Sequence, residues 1–563
     1  MKKLRWQILV VVITLILVGV LLLSQQPVSQ ITTILTQPTS GGVYTEALIG
    51  SMSRFNPLLD RNNVADRDVD RLLFSGLIRF DARGMPLPDL AEAWGTSQDG
   101  TIYNFSIRPN AVWHDGVPVT TDDVIFTIDL IKSDISFYPQ DVKALWDEVE
   151  IRRMDEKTMQ FRIIEPFVPF LDYLTFGVLP KHLLGNIPAD QILNADFNLN
   201  PIGSGPYRFD HLLVDNGRIT GVVLTVSESY YGQKPYIPQI VFRYFPSATS
   251  ALEAYQQGEV MGISQITPNI LKDALNEKDL SLYTSRRPEL SLIFFNLNNG
   301  EVPFLQDIVV REALLTGLNR QRIINQLLQG QAIPADGVIL PGSWAYYEGT
   351  EHIAYDRLTA QTILKKAGYV LPPEGGETLA KDGQHLAFTL LHPDDALHTA
   401  LAEYIQQDWA KIGVQVSLVA LPYEKLIHEN LANRQYEAAL VDINLSYTPD
   451  PDPYPFWHQA EAIGGQNYAQ WDSRPASEYL ERARVTADLE ARARLYRNFQ
   501  VVFEQELPAL PLYFPTYTFA VDAQVYGVQA SPLYDTSDRL NNIADWHLLT
   551  RRALEPTPTA VAP

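Results

Sequence analysis

The sequence predicts an α/β protein that is built from several domains. Its 563 residues exceed the ~250–300 residues over which one hydrophobic core usually extends. Helical and strand patterns also alternate along the chain: residues 400–411 carry apolar side chains at helical spacing, and Gly413 separates them from an apolar strand at residues 414–418. With 46% hydrophobic and 10% aromatic residues, the chain has the composition of a globular protein with large cores.

The charge balance and the amino-acid usage exclude several classes of function. The formal net charge is −22, from 44 basic and 66 acidic residues, which disfavours nucleic acid and anionic membrane surfaces as partners. Cysteine is absent, so disulfides, thiolate metal sites and cysteine nucleophiles are excluded together. We expect no cofactor and no metal, because the chain contains no His-Glu-x-x-His motif and no comparable ligand spacing.

Residues 1–24 are predicted to be a signal anchor that spans the membrane. Basic residues at positions 2, 3 and 5 precede an uncharged apolar run at residues 8–23. The length of this run lies between that of a secretory signal core, ~7–15 residues, and that of a membrane span, ~17–25 residues. Because residues 24–27 form a poor cleavage site, we expect an uncleaved anchor with the body outside the cytoplasm; cleaved export is the alternative.

The most informative stretch covers residues 90–131. Asp99-Gly100 is a hairpin dipeptide, and Tyr103, Phe105 and Ile107 alternate behind it, which predicts a strand with one buried aromatic face. Asp115-Gly116 predicts a second turn.

A helix is predicted to begin directly after this turn. Thr120 stands three residues before Asp123, the spacing of a capping box, in which each side chain satisfies the other's free backbone N–H. Apolar residues at Val124, Ile128 and Ile131 then recur at helical spacing.

Two motifs invite catalytic interpretations that the sequence disfavours. His114 beside Asp115 suggests a catalytic or metal pair, but no third partner is spaced for a triad or a zinc site, so a structural turn is the better interpretation. Residues 203–209 place two glycines around Ser204, as in a phosphate loop. Pro206 would interrupt the helix that such a loop needs, so we predict a tight turn.

The remaining elements are predicted from the same periodicities. A helix that runs into a strand is predicted at residues 69–80, with Gly76 at the break, and the dense aromatic group at residues 167–176 is interpreted as core. Further predicted strands cover residues 222–226, 240–244, 290–297 and 436–443, and further helical regions cover residues 251–257, 360–369 and 480–506.

Several motifs, read in order, closely resemble those of the extracytoplasmic solute-binding proteins of family 5, the oligopeptide- and dipeptide-binding proteins of ABC importers. The first group is Leu-Ala-Glu-x-Trp at residues 90–94, Asp-Gly-Thr at 99–101, Trp-His-Asp-Gly at 113–116 and Thr-x-Asp-Asp-Val at 120–124. Gly-Ser-Gly-Pro-Tyr-x-Phe at residues 203–209 and a Pro-Phe-x-x-Asp motif at 303–307 resemble two later family motifs.

The resemblance implies a type II periplasmic-binding-protein fold: two α/β lobes with a hinged cleft and an extra inserted domain. Residues 25–40, rich in Gln, Thr, Ser and Pro, would form a linker, and residues 551–563 a disordered tail. Domain I would comprise residues 41–80, 201–288 and 525–550, domain II residues 81–200, and domain III residues 289–524.

The resemblance also implies a function. A family member of this kind captures peptides at the extracytoplasmic face of the cytoplasmic membrane and delivers them to ABC permease and ATPase subunits; we expect it to act as a monomer. Receptors of the same fold for an oligosaccharide, nickel or haem, and a membrane-anchored ligand sensor, remain alternatives. A hydrolase is disfavoured because no Gly-x-Ser-x-Gly elbow is present and only His392 and His398 lie near each other.

The predicted ligand contacts also follow from the resemblance. Peptide-binding relatives hold the ligand's α-amino group with an aspartate just after a strand of the third domain, and here Asp450 is the nearer match, with Asp452 as the alternative. Tyr447 and Trp457 are candidates for the pocket wall. Gly50, Ser51 and Met52 are the positions that would line the cleft after the first strand. The structural alternatives are a strand end at residues 50–52 and turn carboxylates stiffened by proline at Asp450 and Asp452.

Overall fold

The computed structural model describes residues 2–24, 34–350, 352–373, 375–445 and 449–554. The strands are β1 (Ile34–Thr39), β2 (Val43–Ile49), β3 (Ile78–Phe80), β4 (Pro86–Pro88), β5 (Ala91–Thr96), β6 (Ile102–Ile107), β7 (Glu150–Arg153), β8 (Thr158–Arg162), β9 (Tyr207–Asp215), β10 (Arg218–Val226), β11 (Gln239–Phe245), β12 (Gly262–Ile263), β13 (Leu280–Arg286), β14 (Glu289–Phe295), β15 (Ala332–Pro334), β16 (Ala380–Lys381), β17 (Gln384–His385), β18 (Ala387–Pro393), β19 (Gln415–Leu421), β20 (Ala438–Asn444), β21 (Ala509–Asp522) and β22 (Leu549–Leu554).

Helices alternate with these strands. The α-helices are α1 (Lys2–Ser24), α2 (Val64–Leu73), α3 (Thr121–Lys132), α4 (Gln140–Glu148), α5 (Lys181–Leu184), α6 (Ala189–Ile192), α7 (Ala248–Gln256), α8 (Pro268–Asn276), α9 (Ile308–Thr316), α10 (Arg320–Gln326), α11 (Arg357–Lys366), α12 (Ala396–Ala410), α13 (Tyr423–Lys425), α14 (Tyr454–Trp457), α15 (Arg474–Val485) and α16 (Leu489–Glu506). Short 3-10 helices cover Val168–Leu174, Asp196–Leu199, Pro303–Gln306, Gln459–Ala462, Thr536–Leu540 and Ile543–Asp545, and Leu426–Leu431 is a π-helix.

Two sheet regions form the centres of two lobes. In lobe one the strand order is β9-β10-β11-β2-β12, and β2 runs parallel to β11 and β12. In lobe two the order is β19-β18-β20-β14, with β18 parallel to both of its neighbours. The faces of the lobe-two sheet are covered by separate apolar clusters, one packed with α9, α11 and α12 and the other with α15 and α16.

The long strand β21 passes from one lobe to the other. Its first half, residues 509–515, pairs with β14 and β15 of lobe two, and its second half, residues 516–522, pairs with β12 and β13 of lobe one. β13 leads directly into β14, and these two strands form a second crossing between the lobes. They lie beside β21, the first crossing, and pair with it. The lobes are therefore connected through hydrogen-bonded strands.

The inserted domain follows α2 and is centred on a four-stranded antiparallel sheet of order β5-β6-β8-β7. The predicted strand is β6, and its alternating residues Tyr103, Phe105 and Ile107 are buried as expected. The capping box at the start of α3 is also present, with the Thr120 N–H donating to the Asp123 carboxylate at 2.8 Å. Both predictions are confirmed, because the capping box and the strand alternation are encoded by residues close together in sequence.

The ends of the chain differ from the prediction. Residues 34–39 of the predicted linker form β1, which pairs antiparallel with β22, so residues 551–554 of the predicted tail are also strand. Each strand supplies the other's backbone hydrogen bonds, which neither segment could obtain alone. Residues 25–33 and 555–563 lie outside the described residues.

The predicted membrane anchor is not supported. Residues 2–24 form helix α1, but among the residues that the structure describes no helix has the length and apolar character needed to cross a membrane.

The helical region predicted at residues 480–506 is two helices. α15 ends at Val485, and α16 begins at Leu489 with Asp488 as its N-cap, the Asp488 carboxylate accepting the Ala491 N–H at 2.7 Å. Asp488 therefore begins a new helix, although the apolar periodicity of the sequence continues through this position.

Candidate functional site

A cavity of about 140 Å³ lies where the inserted domain, lobe two and the C-terminal return to lobe one meet. Its walls come from the 3-10 helix Val168–Leu174, from the loop that follows β20, and from Tyr534. The lining residues are Pro169, Asp172, Tyr173, Val338, Leu340, Ser343, Asn444, Leu445, Pro449, Asp450, Pro451, Asp452, Pro455, Phe456 and Tyr534. These segments are far apart in sequence and are brought together by the fold.

Asp450, the predicted ligand contact, lines this cavity but already has a partner. Its carboxylate forms a buried ion pair with Arg492 of α16 and accepts a hydrogen bond from the Tyr496 hydroxyl at 3.2 Å. Burial raises the pKa of Asp450, and the positive charge of Arg492 opposes that shift. The carboxylate is therefore held by α16, within the wall of the cavity.

Asp452 is held in a similar way by α15. Arg484 donates to both carboxylate oxygens, with Nη2–Oδ2 at 2.8 Å and Nε–Oδ1 at 2.9 Å. The same guanidinium lies over the Tyr454 ring, 3.6 Å from its centroid, and 5.5 Å from that of Phe167 in the inserted domain. A bidentate pair between stacked rings fixes the orientation of Asp452.

Asp172 joins the inserted domain to lobe two. Its carboxylate accepts the backbone N–H of Asp450 at 3.0 Å, across 278 residues of sequence. Burial raises the pKa of Asp172 well above its ordinary value, and the neighbouring Asp450 carboxylate adds to the shift. Three aspartates thus converge on one cavity.

Two hydroxyl groups line the cavity. The hydroxyls of Ser343 and Tyr534 are buried, and among the described residues neither has a hydrogen-bond partner. Because a buried polar group without a partner is costly, these two hydroxyls indicate that the cavity suits a polar ligand.

The other predicted wall residues of lobe two lie elsewhere. Trp457 is only 2% exposed and packs in the core of lobe two, with its ring centroid 4.8 Å from that of Phe503 and 5.6 Å from that of Phe294. Its large apolar ring is stabilised by this core, which corrects the prediction that it walls the pocket. Tyr447 lies outside the described residues.

The predicted cleft residues after β2 do not line this cavity. Gly50 has φ +125° and donates its N–H to the Phe245 carbonyl at 2.8 Å, while the Ser51 carbonyl accepts from the Asn63 side chain at 2.9 Å. Met52 packs against the core of lobe one. These residues form a strand end, which was the structural alternative for them.

His114 is a structural residue. Its Nδ1 accepts the Gly203 N–H and its Nε2 lies 3.1 Å from the Gly205 carbonyl, so it joins the two turns that the sequence singled out. A Cβ atom added at Gly203 would lie 1.8 Å from the Leu73 carbonyl oxygen, which explains why glycine is needed there. Burial lowers the pKa of His114 to about 4, so the ring is neutral.

His398 is also accounted for by local contacts. Its ring nitrogens contact Asp395 at 2.7 Å and Asp442 at 3.1 Å. Burial opposes protonation, but these two carboxylates prevail and raise the pKa of His398 to about 9. A ring that stays protonated between two carboxylates is not a general base. Within the described ranges, no group of three or more His, Asp or Glu side chains is arranged to hold a metal ion.

Sequence reasoning missed one aspartate of the cavity wall and the residues that hold the other two. Asp172 lies within the aromatic group that was interpreted as core, and Arg484, Arg492 and Tyr496 lie on helices that were predicted only as amphipathic. The available signal was weak: Arg492 is a charged residue on the buried face of α16, next to Ala493 and Tyr496. A buried arginine implies a buried acidic partner without saying which one.

The fold and the cavity are those of a solute-binding protein. Residues 86–465 match the family described as "Bacterial extracellular solute-binding proteins, family 5 Middle". The chain therefore belongs to this family of solute-binding proteins, and the predicted family is confirmed.

Relatives with known names match almost the whole chain. The dipeptide-binding protein of Escherichia coli (strain K12) is 28% identical over 510 residues, covering 86% of this chain and 91% of that protein. The oligopeptide-binding protein AppA of Bacillus subtilis (strain 168) is 26% identical over 520 residues, covering 91% of this chain and 92% of that protein.

Solved structures confirm the predicted periplasmic-binding-protein fold with two lobes. NikZ from Campylobacter jejuni, in complex with Ni(L-His), superposes with a TM-score of 0.67 at 26% identity, covering 90% of this chain and 99% of that one. AppA from Bacillus subtilis, in complex with a nonapeptide, gives a TM-score of 0.67 at 24% identity, covering 91% and 100%. HbpA2 from Haemophilus parasuis gives a TM-score of 0.76 at 21% identity, covering 88% and 99%.

Proposed function

We propose that this chain is the substrate-binding subunit of an ABC importer, which captures peptides outside the cytoplasmic membrane and delivers them to a permease without catalysis. The observation that carries the proposal is the match to the E. coli dipeptide-binding protein over 91% of that protein's length. The cavity supports the same function, because its Asp172 carboxylate forms no ion pair with a described residue and its two hydroxyls suit the polar groups of a peptide.

The physical basis of capture is enclosure by the lobes. Within a closed cavity water is excluded, so each charge and hydrogen bond acts in a lower effective dielectric than at the surface. The cavity of about 140 Å³ is smaller than the ~300–1,000 Å³ of typical small-molecule sites. A peptide therefore enters by separating the Asp172–Asp450 contact, and the lobes close over it again.

Calorimetric titration of the full chain with a mixed library of di- to pentapeptides tests this proposal. We expect binding in the micromolar range or tighter, which requires about 8 kcal/mol of net free energy. A parallel titration with Ni(L-His) serves as the control, because NikZ is an equally similar structural relative that holds this complex. Heat with Ni(L-His) and none with peptides would overturn the peptide assignment and favour a nickel receptor.

A further inference from the structure

A second and larger cavity lies at the far end of the lobe-two sheet. Its volume is about 560 Å³, which falls within the ~300–1,000 Å³ of typical small-molecule sites. It is lined by residues beside the start of β20, whereas Asn444 at the end of β20 lines the cavity between the lobes. The seven residues of β20 therefore place the two cavities roughly 20 Å apart, and among the described residues they share no lining side chain.

Amide side chains dominate the lining of this second cavity. They are Asn296, Asn298, Asn299, Asn430, Gln435 and Gln470. Glu301, Glu437 and Thr389 add two carboxylates and a hydroxyl. Small-molecule pockets are lined mostly by apolar side chains, so a lining of this kind disfavours an apolar ligand and suits one that forms many hydrogen bonds.

The one guanidinium group in the described lining, that of Arg434, is used within the protein. Its three nitrogens donate to backbone carbonyls, among them those of Leu431 at 2.7 Å and Gly465 at 2.8 Å. The guanidinium carbon also lies 5.1 Å from the centroid of the Tyr468 ring. These contacts fix the segment before β20 and leave no guanidinium N–H for an anionic ligand.

The acceptors of the cavity, in contrast, are largely unused. The Asn430 amide nitrogen donates to the Gln435 carbonyl at 3.1 Å, and the Asn430 Oδ1 atom is buried without a hydrogen-bond partner among the described residues. The Glu437 carboxylate accepts the Thr389 N–H with one of its two oxygens. The Glu301 carboxylate forms no hydrogen bond or ion pair with a described residue. Because a buried acceptor without a donor is costly, this lining indicates a ligand that donates hydrogen bonds.

We propose that this cavity is a second ligand site, for a short neutral saccharide, and that it acts independently of peptide capture. A sugar hydroxyl both donates and accepts hydrogen bonds, as does the side-chain amide of asparagine or glutamine, so a set of hydroxyls matches the six amides. The same hydroxyls donate to Asn430 Oδ1 and to the carboxylates of Glu301 and Glu437. A polyamine would satisfy the carboxylates alone, because it has no acceptor for the amide N–H groups.

This site lies wholly within lobe two. Its described lining residues all fall between positions 296 and 470, and none of them belongs to lobe one or to the inserted domain. Opening and closure of the lobes therefore leave its geometry unchanged. The saccharide should bind equally well to the peptide-free and to the peptide-loaded protein, whereas peptide would displace a sugar from the cavity between the lobes.

Ligand-observed NMR titration of the full chain tests the proposal. The probes are maltose, cellobiose and diacetylchitobiose, with spermidine as the cationic comparison; co-sedimentation with insoluble cellulose and chitin distinguishes a free sugar from the chain of a glycan. The test variant is Asn298→Ala/Glu301→Ala, because neither side chain forms a hydrogen bond with a described residue and the fold should be kept. The matched control is Glu403→Ala/Gln407→Ala, which removes a carboxylate and an amide from the exposed face of α12.

We expect at least one of the three disaccharides to bind the wild type with a Kd of about 1 mM or tighter. The test variant should bind the same sugar about tenfold more weakly, because two side chains that form hydrogen bonds with it are lost. The control variant should bind the sugar as the wild type does. Saturation of the wild type with the tightest peptide from the calorimetric library should also leave sugar binding unchanged.

Three results would overturn the saccharide site. The first is no binding of any of the disaccharides at about 10 mM. The second is sugar binding that the test variant retains or that peptide displaces, since the sugar then binds elsewhere. The third is spermidine binding that depends on Asn298 and Glu301 in the absence of sugar binding, which would make the cavity a cation site. If no peptide binds the wild type, peptide capture fails by itself, and the two variants still decide the saccharide site.

Discussion

Asp60 shows how a single buried carboxyl group sets a pH dependence. It lies in the loop between β2 and α2 and is 7% exposed. Burial raises the pKa of Asp60 to about 8, with Asp535 and Asp66 adding to the shift and Arg67 opposing it. In the unfolded chain the same group ionises near pH ~3.9. Between about pH 4 and pH 8 the folded state therefore holds the extra proton, and this contribution to stability is lost as the pH rises through that window.

The substitution Asp60→Asn should remove this dependence. Urea unfolding at pH 5 and at pH 8 should show that the variant loses less stability across this interval than the wild type, by roughly 1–3 kcal/mol. Asp273→Asn, at an exposed position of α8, is the control and should follow the wild type. Equal losses in Asp60→Asn and the wild type would show that Asp60 is ionised in the folded state.

At the scale of single residues, part of the candidate site could be predicted from the sequence. Asp450 and Asp452 were expected at the site and both line the cavity, because the motif that marks them is local. Their arginine partners lie 42 and 32 residues away, and Asp172 lies 278 residues from Asp450. Such pairings depend on how the lobes and the inserted domain pack, which no local pattern encodes.

At the scale of helices and strands, the 3-10 helix Thr536–Leu540 packs the C-terminal segment against lobe one. One arginine makes the main polar contacts. Arg539 is fully buried and donates to Glu46 of β2 at 2.6 Å and to Asp68 of α2 at 2.6 Å. The Ser537 hydroxyl adds a hydrogen bond to Asp68 at 2.7 Å. The Arg539 guanidinium group therefore links a strand, a helix and the C-terminal segment through ion pairs.

Replacing Arg539 by Met should leave two buried carboxylates without their counter-charge. We expect a loss of roughly 3–5 kcal/mol in the free energy of unfolding, measured by urea denaturation. The control is Arg243→Met, which breaks a pair with Glu259 whose side chains are 37% and 40% exposed, and should cost about 1 kcal/mol or less. Similar losses in the two variants would argue against a structural role for the Arg539 network.

Elements were predicted well where their signals are local. The capping box of α3 and the alternation along β6 are both encoded by residues close together in sequence, and both are present. The pairing of β1 with β22 was missed, since it joins residues some five hundred positions apart that carry linker-like composition. The double role of β21 was missed for the same reason.

For the whole molecule, β21 and the β13–β14 connection define where the lobes can rotate. Arg287 donates its N–H to the Pro515 carbonyl at 2.9 Å, so the two crossings are bonded to each other at their midpoints. When the lobes open, the paired strands of the two crossings must twist. A ligand that holds the lobes closed must therefore oppose this twist.

Hydrogen exchange should therefore respond to ligand at these crossings. With peptide at a hundred times its Kd, closure gains about 2.7 kcal/mol, so amides at residues 286–287 and 516–518 should exchange up to about a hundredfold more slowly. Amides of the edge strand β9, which takes no part in either crossing, should be unchanged. A ligand effect of equal size in β9 and at the crossings would contradict a hinge at this position.

The shared strand β21 also determines when the protein can fold during its synthesis. β2 is made early, but lobe one lacks its part of β21 until residue 522 has left the ribosome, and lobe two lacks its part until residue 515 has done so. Neither sheet can close on a nascent chain that lacks its last tenth, because both need the same late strand. Members of this family work outside the cytoplasm, and this topology keeps both lobes incomplete until synthesis of the chain is nearly finished.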